Sequence, residues 1–249
     1  MVVNRRLLLG LAAGGGVAAA YTGFGAVRRL LEPAPEFEPI GELPGFRRVA
    51  GGPVSRGSPL FVGLGEPEQA AVTPATLCRH LFLPLPAPDE VPIAYFSDYR
   101  CPNCRVVSPI LARIEKEGVA PVTWHEWPIL GESSRLAARA ALAARRQGAY
   151  KAFHERMMGS SFLPTPAYID QMARDAGIGP EQLRRDMTDP AITLQLARTD
   201  ALAGLLGFIG TPGLVIGRTA VMGRLDRRRL DRLIAIERAE PAPNPCARG

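Results

Sequence analysis

Lysine is almost missing from this chain. The 30 basic residues are arginine except for Lys116 and Lys151. The arginines are interleaved with Asp and Glu over helical-looking stretches. They read as solvated helix faces, so the net charge of +6 is not taken as a nucleic-acid footprint and no nucleic-acid partner is expected. Cysteine is scarce too. Four residues (Cys78, Cys101, Cys104 and Cys246) in 249 exclude a disulfide-dense scaffold. Zinc-finger and RNA-binding signatures are missing. The histidines His80, His125 and His154 are not paired at ligand spacing, so a structural metal site lacks its second half and no metal or cofactor is expected. No internal repeat is present. Charged residues make up 22% and hydrophobic residues 47%, which excludes a compositionally disordered chain and allows one sizeable core with room for an insertion.

What is present begins with an address. Arg5 and Arg6 precede an uncharged run from Leu7 to Ala20, a basic n-region followed by an apolar h-region. "NRRLLLG" resembles a twin-arginine export signal, and an ordinary secretory signal is the alternative. Ala18-Ala19-Ala20 permits cleavage. The uncharged stretch continues to Val27, about 20 residues, long enough to anchor the chain in the inner membrane. Arg28 and Arg29 would then lie on the far side, against the usual charge bias, so cleavage is the expectation and a tether the alternative. Either way the rest is exported, and a periplasmic location follows, where disulfides persist.

The remaining chain divides by composition. Residues 1–27 are the export signal or anchor. Residues 28–88 form a Pro/Gly-rich linker and a short helix, with Thr73 as its cap, Pro74 at its first position and Cys78 in its middle. Residues 89–132 hold a buried strand (Val91–Ser97), a helix with Val107, Leu111 and Ile114 on one face, and a second strand (Val119–Trp127). Residues 133–206 read as helix almost throughout, with caps at Thr165 and Asp189. Residues 207–240 return to two strands (Gly213–Gly217, Thr219–Met222) and a helix from Asp226 to Arg238. Residues 241–249 are a flexible tail.

Between the first strand and its helix stands "FSDYRCPNC" (96–104). As a staple, a bridge between Cys101 and Cys104 closes too short a loop to restrict the unfolded chain much. As a redox couple the context is favourable. Cys101 falls at the helix N-cap and Pro102 at the first turn, so N–H groups and the positive end of the helix dipole face the sulfur and favour thiolate. Cys104, one turn in, is the resolving thiol. Thr211-Pro212 lies directly before a strand, where thioredoxin-fold proteins keep a cis-proline facing the cysteines. The residue before that proline can pair its backbone with an extended substrate segment.

The cysteine motif, the helical block inserted before "GTP" (210–212) and the export signal resemble the DsbA-like thiol:disulfide oxidoreductases. The resemblance implies an α/β, thioredoxin-like fold with an inserted α-helical domain. It gives Cys101 the part of the exposed nucleophile, Cys104 that of the resolving cysteine and Pro212 that of the cis-proline. It also implies exported substrate proteins with cysteine thiols, a membrane redox partner that reoxidises or reduces the pair, and a monomer. Two positions depart from the family pattern. Asn103 stands where the strongest oxidants carry histidine, and Tyr95 where many thioredoxin-fold proteins keep a buried acid. Asp98 and Glu126 are then candidates to move a proton for Cys104, or else are capping carboxylates. Cys78 and Cys246 either pair or stay apart, with Cys78 buried and Cys246 mobile. Tyr95, Phe96 and Tyr99 line a peptide groove or belong to the core. The expected function is an exported oxidoreductase that exchanges the Cys101–Cys104 disulfide with protein thiols as a DsbA-like oxidase; the competing readings are a reductase or isomerase of the same fold, a copper-binding chaperone using the same cysteines with His125 as third ligand, and a redox-inert scaffold.

Overall fold

A computed structural model describes residues 35–57, 72–240 and 244–247. The export segment and residues 58–71 lie outside the described residues. Among the described residues no helix is long and apolar enough to cross a membrane.

The sheet is built around β3 (Ile93–Ser97), whose five residues are all buried. Its side chains alternate between two cores, as strand geometry requires. Ile93 and Tyr95 face one cluster, Ala94 and Phe96 the other. β3 pairs in parallel with β4 (Val122–Glu126) and antiparallel with β5 (Gly213–Ile216). β5 turns back into β6 (Thr219–Met222). The full order is β1-β2-β6-β5-β3-β4.

The two outer strands correct the reading of residues 28–88 as linker. β1 (Phe37–Pro39) and β2 (Arg47–Val49) extend the sheet, and β2 runs parallel to β6. Arg47 pins them. Its guanidinium lies over the Phe37 ring at 3.8 Å and donates to Glu237 at 2.7 Å, Glu240 at 3.1 Å and Thr219 at 2.9 Å. Strands of three residues are too short to display a period-2 pattern, so composition alone reads them as linker.

α1 (Leu77–Leu81) is shorter than expected. Residues 73–76 are a turn, closed by the Thr76 N–H to the Thr73 carbonyl at 2.9 Å, and the helix starts after it. α2 (Pro102–Lys116) buries Cys104, Val107, Leu111 and Ile114 at helical spacing and accommodates Pro109. Between β4 and β5 run α3 (Glu132–Arg146), α4 (Tyr150–Gly159), α5 (Pro166–Asp175), α6 (Pro180–Met187) and α7 (Pro190–Leu205). The alanines of α3 are buried from Ala137 to Ala144 except at Arg139, and their small side chains let α4 and α6 pack closely. Thr165 caps α5 and Asp189 caps α7, each accepting a backbone N–H of the first turn. α8 (Arg227–Ala239), capped by Asp226, lays Leu230, Leu233 and Ile234 on the core that holds Ile93 and Tyr95. The chain thus has the thioredoxin-like α/β fold with a helical insertion.

The C-terminal tail is not loose at its cysteine. Cys246 is 3% exposed and forms a disulfide with Cys78, Cα to Cα 5.1 Å across 168 residues of sequence. The bridge holds residues 244–247 on the core around α1, which corrects the reading of 241–249 as wholly flexible.

Candidate active site

Cys101 is the N-cap of α2, in extended backbone, with Pro102 opening the helix. Its sulfur accepts the Cys104 N–H at 3.1 Å. Two further groups approach from distant parts of the chain. The Thr211 carbonyl lies 3.4 Å from the sulfur, in the peptide before Pro212, and that peptide is cis. The Ser55 hydroxyl also lies 3.4 Å from the sulfur, and Asn103 donates to the same hydroxyl oxygen at 3.4 Å. With these neighbours Cys101 is 0% exposed, which corrects the expectation of an exposed thiol.

The two thiols are driven apart in acidity. Cys101 is lowered from the ordinary thiol range to about 6, first by the hydrogen bond from the Cys104 thiol, then against the opposing effect of burial by Ser55, Thr211 and the Cys104 N–H. Cys104 is pushed well above the ordinary thiol range by burial and by its bond to Cys101. A low thiol next to a high one leaves one stable thiolate and one proton holder.

The two candidate acids sit differently. Asp98 accepts the Arg100 N–H at 2.7 Å, the Leu130 N–H at 2.9 Å and the Ser134 hydroxyl at 2.7 Å. It clasps the turn before Cys101 to the start of the helical insertion. Burial pulls its carboxyl up, and those three donors hold it back. Glu126 accepts from Tyr99 at 2.9 Å and Tyr150 at 2.6 Å, and its second oxygen is buried without a partner. Tyr99 in turn meets His154 Nδ1 at 2.9 Å. His154 Nε2 meets Ser108 at 3.3 Å, Ser108 donates to Tyr95 at 3.2 Å, and Tyr95 donates to the Cys104 carbonyl at 3.2 Å. A buried chain of hydrogen bonds therefore links Glu126 to the backbone of Cys104. The peptide-groove reading of Tyr95, Phe96 and Tyr99 is corrected, since all three are at most 1% exposed. His125 is committed to the Leu81 carbonyl at 2.9 Å and stacked on Phe96, and burial lowers it to about 4. Among the described residues no group of three His, Cys, Asp or Glu side chains is placed to hold a metal ion.

The DSBA-like thioredoxin domain family matches residues 92–235, more than half of the chain. The chain belongs to that family. Like its family, it is a thiol:disulfide oxidoreductase that acts on substrate thiols. Solved structures agree. A thioredoxin-like oxidoreductase from Silicibacter pomeroyi DSS-3 is 40% identical, with a TM-score of 0.57 over 60% of this chain and 87% of its own. A periplasmic thioredoxin-like protein from Salmonella enterica serovar Typhimurium is 29% identical, TM-score 0.58, over 66% and 97%. The thiol-disulfide exchange protein alpha-DsbA2 from Wolbachia pipientis is 25% identical, TM-score 0.56, over 59% and 81%. A comparison with curated proteins found no match.

Beside Cys101, Cys104, Thr211 and Pro212, the candidate site of this DsbA-like chain brings together residues that sequence reasoning missed. Ser55 lies in a Gly/Pro-rich run with no local signal of what it touches. Its one signal was the glycine density around it: a Cβ on Gly52 would come within 2.2 Å of the Arg224 carbonyl, and one on Gly57 within 2.1 Å of that of Ile129. Ser108, Tyr150 and His154 come to the site only through the packing of α2 against α4.

Proposed function

We propose that the protein is an exported oxidase that passes the Cys101–Cys104 disulfide to the thiols of other exported proteins. The observation that supports this reading is Cys101 at the α2 N-cap, accepting the Cys104 N–H at 3.1 Å and facing the cis Thr211-Pro212 peptide, with the Cys101 thiol lowered and the Cys104 thiol raised. A substrate thiolate attacks Cys101 Sγ, the Cys101–Cys104 bond breaks, and Cys104 takes up a proton as it leaves. The second substrate thiolate then attacks the substrate sulfur of the mixed disulfide. Cys101 departs as a stabilised thiolate, and the substrate keeps its new disulfide. Two electrons have moved from substrate to enzyme. Thr211 offers its backbone to the extended substrate beside Pro212. A membrane redox partner restores the disulfide, and the enzyme works as a monomer without a cofactor.

Export is supported by Arg5, Arg6 and the apolar run behind them. The Cys78–Cys246 bond suits an oxidising compartment, and the Salmonella neighbour is described as periplasmic. The test is trapping. A Cys104→Ala variant is expected to accumulate mixed disulfides through Cys101 with exported proteins, and a lack of adducts under oxidising conditions refutes the reading. Equilibration against glutathione separates an oxidase, near about −120 mV, from a reductase, near about −270 mV.

A further inference from the structure

Residues 50–57 continue from β2 across the mouth of the site. The Gly52 N–H donates to the Met222 carbonyl at 2.8 Å, and the Arg224 N–H donates to that of Pro53 at 2.9 Å. The segment then pairs with the residue before the cis-proline. The Ser55 N–H donates to the Thr211 carbonyl at 2.8 Å, and the Thr211 N–H donates to the Ser55 carbonyl at 2.9 Å, an antiparallel bridge. The fit is tight on every side. A Cβ on Gly210 would come within 2.7 Å of the Ser55 carbonyl, and Gly52 and Gly57 are closer still to the walls they cross.

Thr211 has a single N–H and a single backbone carbonyl, and Ser55 engages both. Under the oxidase reading, on which this inference rests, an extended substrate needs those same two groups. Ser55 places its hydroxyl 3.4 Å from Cys101 Sγ, where the sulfur of a substrate cysteine has to come. Serine differs from cysteine in that one atom.

We infer that residues 51–57 are a tethered pseudosubstrate: they fill the groove meant for an extended, cysteine-bearing segment of a client protein, with Ser55 in the place of the client's cysteine. A hydroxyl cannot form a disulfide, so the occupant is inert. A client enters by displacing it, strand for strand, and only the fraction of molecules with the strap released binds. The fitting partner is an unfolded segment that can run antiparallel to Thr211. Folded thiol proteins without such a segment are excluded.

The geometry can be read chemically. In a Ser55→Cys, Cys104→Ala protein treated with oxidised glutathione, the Cys101 thiolate attacks the glutathione disulfide and releases one glutathione. The introduced thiol then displaces the second glutathione and forms an internal disulfide with Cys101. The expected product, by peptide mass, is that internal disulfide with no retained glutathione. A persistent glutathione adduct on Cys101 beside a free thiol at position 55 overturns the inference. A second variant tests the gate. Ser55→Pro removes the N–H that Thr211 accepts. On the pH-independent plateau of the reaction, where Cys101 is fully ionised, its alkylation by iodoacetamide is expected to rise roughly tenfold or more, because the substitution removes that N–H and also the hydroxyl that meets Cys101 and Asn103. An unchanged rate overturns the inference. Adducts in the trapping experiment without either effect sink the strap alone. Both effects without trapped adducts sink the oxidase reading and, with it, the client-mimic role of the strap, and keep only its seat on Cys101 and Thr211.

Discussion

Lowering the pH from about 7 to about 5 takes the charge off Cys101 in the dithiol form and leaves the disulfide form untouched. The folded thiol sits at about 6, below its unfolded value, so its ionisation stabilises the folded dithiol. That contribution is fully present above the unfolded thiol pKa of about 8.5 and is lost as the pH falls through about 6. Cys104 is shifted the other way and stays a neutral thiol across this window. The contribution is close to nothing at about pH 5 and about 1.4 kcal/mol at about pH 7. For a two-electron couple that is about 30 mV toward a more oxidising disulfide. Glutathione remains a thiol over the same range. Its equilibrium with the enzyme should therefore move about tenfold toward reduced enzyme between about pH 5 and pH 7, with one proton released per turnover above about pH 6. The assay is equilibration in glutathione buffers of fixed ratio, with the dithiol fraction read by alkylation and mass. The Cys78–Cys246 bridge, buried at Cys246 and half-buried at Cys78, is scored separately by the masses of its own peptides, so one couple is read. An equilibrium constant that is flat from about pH 5 to pH 7, or that falls as the pH rises, refutes the assignment of Cys101 as the low thiol.

Two other perturbations bear on the same architecture. Replacing Cys78 and Cys246 together by alanine opens a loop of 168 residues, for which chain entropy sets a loss of about 5 kcal/mol. Guanidinium unfolding should show a fall of about 2–5 kcal/mol, and a change under about 1 kcal/mol would mean the tail is held without the bond. Asn103→His places a cationic imidazole two residues along the same helical turn from Cys101, whose sulfur Asn103 now reaches through Ser55. Thiolate absorbance should then titrate about 1 unit lower or more, with the disulfide more oxidising in glutathione; a midpoint still at about 6 would show that the new side chain faces away.

The parts legible in the sequence are those with local signals. Cys101-Pro102 marks a helix start through capping chemistry alone, and Thr165-Pro166 and Asp189-Pro190 repeat the device. Ile93 to Ser97 is apolar enough to read as a buried strand without knowing its neighbours. The illegible parts are fixed by partners far away in the chain. Arg47 meets Thr219 across 172 residues, and nothing in three residues of β2 announces it. His154 meets Tyr99 across 55 residues, through helix packing that no spacing rule supplies. Ser55 is the extreme case, a small polar residue in a glycine-rich run whose place is set by the backbone of Thr211. The Cys78–Cys246 pairing is illegible for the same reason: two isolated cysteines carry no register.

The clamp on Arg47 has a consequence for competition in the groove. β2 ends at Val49, held in the sheet against Val221, six residues before Ser55. Even with every bond beyond Val49 broken, Ser55 stays within about 20 Å of that anchor, the reach of six extended residues. One segment confined to such a sphere has an effective concentration of tens of millimolar, independent of how much enzyme the compartment holds. A free client is diluted by the compartment; the strap is not. Brief contact through one cysteine is then a poor competitor, and a long unfolded chain that grips the surface at several points becomes the kind of visitor able to win.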